Sequence, residues 1–281
     1  MPASSMEMSL PVTLAVLGAA LLHAGWNALV KSSADKQLDT VGLAAGAGVI
    51  AFAVAPWLPM PARESWPWLA GSTAVHILYF ICLAGAYRWG ELSYTYPVMR
   101  GGGPMIVALV GALALGEVLP LIESIGVAMI CVGILAFASG AHDRRATAFA
   151  VANAVVIAAY TLIDAQGARA SGEPVSYTLW FFAANGIVIT AMGVATRGAA
   201  VPAYLHRYWM RAAVGGACSV GAYGIALWAM TRAPVALVAV LRETSVIFAA
   251  ALGAIFLKEK FTRRRLVATG AVMAGLIALR F

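Results

Sequence analysis

The feature that most constrains this chain is the spacing of its interruptions. Breaks rich in charge, glycine or proline divide an otherwise apolar sequence into about ten stretches, near 10–30, 40–60, 67–87, 93–116, 121–139, 147–166, 175–196, 210–230, 235–257 and 264–280. Each is close to the ~20 residues that an α-helix needs to cross the hydrocarbon of a bilayer. Backbone polar groups in lipid must be satisfied internally, and barrel strands would alternate and be about half as long, so these stretches are expected to be helices. The predicted fold is all-α: a polytopic membrane protein of about ten transmembrane helices. Composition enters as an exclusion. Of 281 residues, 62% are hydrophobic and only 11% charged, against the roughly 25% charge of soluble domains. That is too little polar surface to coat a soluble enzyme or a nucleic-acid-binding module.

The connections are short, as at Lys31–Asp39, Ala141–Ala146 and Lys258–Arg263, and only Arg197–Arg211 has room for more than a turn. The net charge of +7 sits mainly at the ends of apolar stretches, where Lys and Arg meet lipid headgroups, so no nucleic-acid partner is expected. Cys82, Cys131 and Cys218 are scattered through apolar runs without Cys-x-x-Cys spacing and read as packing. Neither a metal site nor a cofactor is expected. Met1–Pro11 lacks Lys and Arg, and no small-residue cleavage site follows, so the first apolar run is expected to be a retained helix.

An internal repeat refines the architecture. At an offset of 142 residues, Val98–Phe137 falls on Val240–Leu279 with nine identical pairs, among them Arg100/Arg242, Gly111/Gly253, Glu117/Glu259 and Gly133/Gly275. The matched Arg and matched Glu carry most weight, because charge is scarce. The expectation is two five-helix repeats, 1–140 and 141–281, forming one membrane domain. An odd number of helices per half makes the second half enter from the opposite side. Such inverted repeats are the architecture of secondary transporters, whose substrate site lies at the repeat interface near the midplane.

In this order the motifs resemble the EamA-type ten-helix family of drug/metabolite transporters. They are His23-Ala-Gly-Trp26-Asn27 through Lys31 at the end of helix one, Gly111-Ala-Leu-Ala-Leu-Gly-Glu117 closing helix four, and Gly253-Ala-Ile-Phe-Leu-Lys-Glu259 closing helix nine. Each Glu-terminated run is followed by a helix with a central glycine, Gly133 or Gly275. Where the family shows Gly-Glu twice, this chain has Gly116-Glu117 but Lys258-Glu259. The resemblance spans nearly the whole chain and implies proton- or gradient-linked movement, usually export, of small metabolites through a central cavity.

Arg100 and Arg242 lie about eight residues inside helices four and nine, where a charge costs at least ~2.5–3.5 kcal/mol unless it faces a cavity or partner. They read as cationic anchors for a substrate carboxylate or phosphate; the alternative is a structural ion pair with Glu243, the acidic residue at comparable depth. On that alternative Glu243 neutralises Arg242, and Arg100, with no acidic neighbour in its own half, is the better anchor; Glu243 could instead reach Arg100 across the repeat interface. Pro97, Gly101, Gly102, Gly103 and Pro104 weaken the hydrogen-bond ladder of helix four, which is expected to kink or open and to serve as a gate; the alternative is close packing. Tyr96 shares a face with Arg100. Trp26, Asn27, His76, Tyr79, Tyr160 and Tyr223 are candidates for an aromatic, hydrogen-bonding wall, or for packing and interface belts. Asp164, Glu243, His23 and His76 are the candidates for carrying a coupling proton. Glu117 and Glu259 read as caps or headgroup-level residues. No Ser/His/Asp set or His-Glu-x-x-His run appears, so the chain is not expected to be an enzyme.

The expected protein is a multi-pass transporter of the cell (inner) membrane, moving a small amphipathic metabolite such as an amino acid or related organic anion by alternating access. Its partners would be that small molecule, membrane lipids and a proton as coupling ion. The alternatives are a lipid-linked or sugar-carrier flippase and a non-transporting membrane subunit.

Overall fold

The computed structural model describes residues 8–138, 143–248, 251 and 263–279. The described residues form ten α-helices: α1 Leu10–Lys31, α2 Lys36–Val54, α3 Trp66–Trp89, α4 Leu92–Ala114, α5 Leu121–Leu135, α6 Arg144–Ala170, α7 Pro174–Arg197, α8 Ala200–Met230, α9 Val235–Arg242 and α10 Arg263–Ala278. Seven of them, α1–α4 and α6–α8, are long and apolar enough to cross a membrane. Large apolar side chains such as Leu14, Val49, Leu113 and Ile187 project outward from the bundle, which suits a lipid environment and no aqueous one. The chain is therefore a multi-pass membrane protein.

Local chemistry explains the starts of five helices. Asp35 caps α2 by accepting the Leu38 N–H at 3.0 Å, and Asp143 caps α6 by accepting that of Arg145 at 2.7 Å. Proline occupies the first turn of α1, α3 and α7, where its missing N–H costs nothing.

Two boundaries and one helix interior depart from expectation. Helix α8 begins at Ala200, nearly three turns before the start expected near residue 210, and is kinked at Tyr208. Its polar residues are held from outside the helix, because Tyr204 and Arg211 both donate to Asp39 of α2 at 2.8 Å. Helix nine, expected to run unbroken over 235–257, stops at Arg242 and turns at Glu243–Thr244 before helical structure resumes. Neither proline nor glycine causes this interruption. The Glu243 and Thr244 N–H groups bond three residues back, to Val240 and Leu241, and the Thr244 hydroxyl also donates to the Leu241 carbonyl at 2.7 Å. Residues 249–250 and 252–262, which include Gly253, Lys258 and Glu259, lie outside the described residues. By contrast α4, expected to kink or open, is one continuous helix across Pro97, Gly101–Gly103 and Pro104.

The glycines of α4 are packing surfaces. A Cβ added at Gly101 would lie 2.8 Å from Leu135 Cγ and 3.0 Å from the Cys131 carbonyl oxygen of α5, and one at Gly103 would lie 2.8 Å from Ile157 Cγ2 of α6. Gly101→Ala is accordingly expected to destabilise the protein by about 1–3 kcal/mol through overpacking. Gly111→Ala, whose Cβ meets nothing nearer than 4.0 Å, should be close to neutral. Thermal unfolding of the two variants in detergent checks this, and equal melting temperatures would refute the close approach.

In the bundle α2 packs on α7 and α8, α3 on α6, α4 on α5, α6 and α9, α1 on α8, and α5 on α10. The core gathers Val16, Val107, Tyr177, Leu227, Met230 and Leu241 from five of these helices. Helix α9 thus sits among α1, α4, α5, α6 and α8, and brings Arg242 and Glu243 to their midst.

Candidate functional site

At the centre Arg100 of α4 meets Glu243, the residue that ends α9. Arg100 Nε lies 2.8 Å from Glu243 Oε2, and the two side chains are only 12% and 6% exposed. The Nη2 of the same guanidinium is 3.3 Å from His23 Nε2, which accepts from it. One buried cation thus ties α1 and α4 of the first half to α9 of the second. Glu243 sits at the interruption of α9, the residue that follows its last helical position. Arg242 turns elsewhere. Its guanidinium stacks 5.1 Å from the centroid of the Tyr223 ring, and among the described residues no carboxylate lies within ion-pair distance of it. Of the two pairings that the sequence left open for Glu243, the structure has the one with Arg100. Glu243 neutralises Arg100 across the two halves, and Arg242 is the cation left with an aromatic face.

Aromatic groups surround this centre. Tyr79, Tyr96 and Tyr160 lie within electrostatic reach of Arg100 and Glu243. Tyr79 and Tyr160 meet edge to face at 5.9 Å, and His76 stacks against Tyr160 at 4.3 Å. Trp26 packs on His23 at 4.9 Å. Asn27 is brought close in sequence only, since its amide donates to the His23 carbonyl of its own helix at 2.8 Å. Pro97 and Gly101–Gly103 lie on the α4 segment beside Arg100 and pack on neighbouring helices as described.

A second buried cluster forms around Asp164, which is fully enclosed. Tyr177 donates to its Oδ1 at 3.0 Å and Tyr223 to its Oδ2 at 2.6 Å. Ser72 borders the same carboxylate, and its carbonyl oxygen lies 2.9 Å from His76 Nδ1. Tyr223 joins the two clusters, with its hydroxyl on Asp164 and its ring under Arg242. Phe181 completes the wall, 4.8 Å from His76 and 5.4 Å from Tyr223. Neither Tyr177 nor Phe181 stood out in the sequence: aromatics in the first turns of an apolar helix look like interface residues.

The two ends of the bundle are clamped. At one, Asp39 is buried and accepts from Tyr204 and Arg211, while Arg211 also donates to the Leu29 carbonyl and to Ser32 Oγ. Beside it Arg197 pairs with Asp35. The Leu38 N–H and then Arg197 hold the Asp35 carboxyl below the usual carboxylate range. At the other end Glu117 does not cap its own helix. Its Oε1 lies 2.6 Å from Arg169 Nη2, and its Oε2 accepts the Val235 N–H of α9 at 2.7 Å. Arg169 in turn donates to the Met230 carbonyl at 2.9 Å.

A buried ion pair between the two halves, an unmatched arginine over a tyrosine and an enclosed carboxylate are what a polar path through a membrane bundle needs. Comparison with known proteins agrees with that character. Residues 145–281 match the EamA-like transporter family. The match bears out the resemblance to the drug/metabolite transporters, and it covers α6–α10, the half that contributes Asp164, Tyr177, Tyr223, Arg242 and Glu243. A solved structure described only as the crystal structure of a protein is similar over 96% of this chain and 98% of its own, with a TM-score of 0.74 at 17% identity. Likeness at that identity establishes the fold. No curated protein matches the chain. The EamA-like half thus supplies every acidic group of the central clusters together with Tyr160, Tyr177 and Tyr223, while the first half supplies Arg100, His23, His76, Tyr79 and Tyr96.

Proposed function

We propose that this EamA-like protein is a secondary transporter of the cell (inner) membrane that exports a small amphipathic anion or zwitterion, such as an amino acid or related organic acid, by alternating access. The observation that carries the reading is the division of labour between the two arginines. Glu243 already pairs directly with Arg100, whereas Arg242 lies over the Tyr223 ring with no carboxylate in ion-pair contact among the described residues, so a substrate carboxylate gains most at Arg242. The apolar body of the solute would lie among Trp26, Tyr79, Tyr96 and Tyr160. The interrupted α9 suits this role, because broken helices at transporter sites leave backbone groups to a solute or ion.

The two halves act as inverted repeats in this reading. Three pairs of matched helices, α2 with α7, α4 with α9 and α5 with α10, pack on each other, as elements beside a pseudo-two-fold axis would. Rocking of the halves would pivot on the Arg100–Glu243 contact, with α4, continuous through Pro97 and Gly101–Gly103, shifting as one unit to gate the path. Asp164, Glu243, His23 and His76 are the groups that would carry a coupling proton. Asp164 is the foremost, since Tyr223 links it directly to Arg242.

The test is ligand affinity in the purified, folded protein, screened against amino acids and short organic acids. Arg242→Gln is expected to weaken binding of a carboxylate ligand about 10- to 100-fold, the equivalent of losing one charge-assisted hydrogen bond of about 1.5–3 kcal/mol. Wild-type affinity in that variant would end the role of Arg242 as anchor.

A further inference from the structure

A groove runs down the outer face of α8, away from the central clusters. It encloses about 320 Å³ between α1, α7 and α8, with Val220, Gly221, Gly224, Ile225 and Trp228 as floor and Ala15 and Val175 among its walls. From Val220 to Trp228 the helical rise is about 12 Å. Tyr223, which reaches inward to Asp164, lies on the opposite side of the same helix. The floor is deep because two of its positions are glycines. The nearest atom to a Cβ at Gly224 would be Thr178 Cγ2 at 3.6 Å, ordinary contact distance, and larger side chains there would enter the groove.

The chemistry of the lining excludes a polar occupant. Its one hydroxyl, Thr178 Oγ1, is already spent on the Pro174 carbonyl at 2.8 Å. The mouth is different. Arg232, just past the end of α8, stacks its guanidinium 4.7 Å from the Trp228 ring centroid. It has no carboxylate partner among the described residues. An apolar slot along a membrane-facing helix, ending at an uncompensated arginine on an interfacial tryptophan, matches a lipid acyl chain with a phosphate at its head.

We propose that this groove is a binding site for an anionic phospholipid, with one acyl chain along Gly221 and Gly224 and the headgroup phosphate on Arg232. The site is separate from the central clusters and independent of the transport reading. The full chain, purified in a mild detergent, is titrated with phosphatidylglycerol and with phosphatidylcholine, and bound lipid is counted by native mass spectrometry. Phosphatidylglycerol is expected to bind more tightly than phosphatidylcholine. Arg232→Gln should weaken phosphatidylglycerol about five- to tenfold and remove the preference. Gly224→Leu should abolish binding of both lipids at this site. Gly224→Ala, which fits the observed space, should retain it and controls for folding. Equal binding of the two lipids by the wild-type chain, or undiminished phosphatidylglycerol binding in Arg232→Gln, overturns the headgroup assignment. If Gly224→Leu changes the oligomeric state and leaves lipid binding intact, the groove seats a second copy and the proposal is wrong.

Discussion

Arg100→Gln is expected to lower the unfolding free energy by about 3–5 kcal/mol, because Glu243 then stays buried without its counter-ion. No other described side chain replaces the direct contact: Arg242 acts on Glu243 only from a distance, its guanidinium being turned onto Tyr223, and His23 presents an accepting nitrogen to Arg100. Glu243→Gln should cost a similar amount by leaving the guanidinium to His23 alone. The double variant should recover most of either loss, since no net charge remains enclosed and the two amides can bond each other. Arg242→Gln supplies the contrast. It removes a cation–π contact of about 0.5–2 kcal/mol and leaves the Arg100–Glu243 pair intact. Chemical unfolding of the four variants in one detergent gives the coupling energy directly. A double variant as unstable as the sum of the singles would show that the pair does not hold the halves together.

That pairing also marks where reading the sequence reaches its end. Helix positions followed from apolar run lengths, because a bilayer imposes one length on every crossing segment: α1, α4, α6 and α7 begin and end within a turn of expectation. The depth of Arg100 and Arg242 was equally legible, since a charge inside an apolar run must find a cavity or partner. Which partner was not. Sequence places Glu243 next to Arg242, yet neighbours along a helix point to different faces, so adjacency could not decide between Arg242 and Arg100. The break in α9 was invisible for a related reason. A Thr hydroxyl bonded to a carbonyl three residues back leaves no proline or glycine to mark it. Glu117 looked like the end of its own helix because its partners, Arg169 and Val235, are 52 and 118 residues away. The α4 glycines misled in the opposite direction: they suggested a weak helix where neighbouring helices α5 and α6 supply the restraint.

Glu117→Ala should produce the second large effect, a loss of about 3–5 kcal/mol, at the opposite end of the bundle from Asp39. The glutamate has two jobs that no other described side chain duplicates. One oxygen faces Arg169, and the other receives the first N–H of α9, one of the orphan donors that every helix start carries. Removing the carboxylate leaves a partly buried guanidinium, still bonded to the Met230 carbonyl, together with an unpaired backbone donor. Glu117→Gln separates the two jobs. Its amide oxygen can still accept from Val235, so helix α9 keeps its start, while Arg169 loses its counter-ion. The expected order of stability is therefore wild type, then Gln, then Ala. Because Glu117 belongs to the first half and its partners to the second, the loss should appear as separation of the halves. Hydrogen exchange should rise first at the start of α9 and in the 231–234 connection, while α2 and α7 stay protected. Uniform loss of protection along the chain in Glu117→Ala would show that the contact serves general packing, and that the two halves are joined elsewhere.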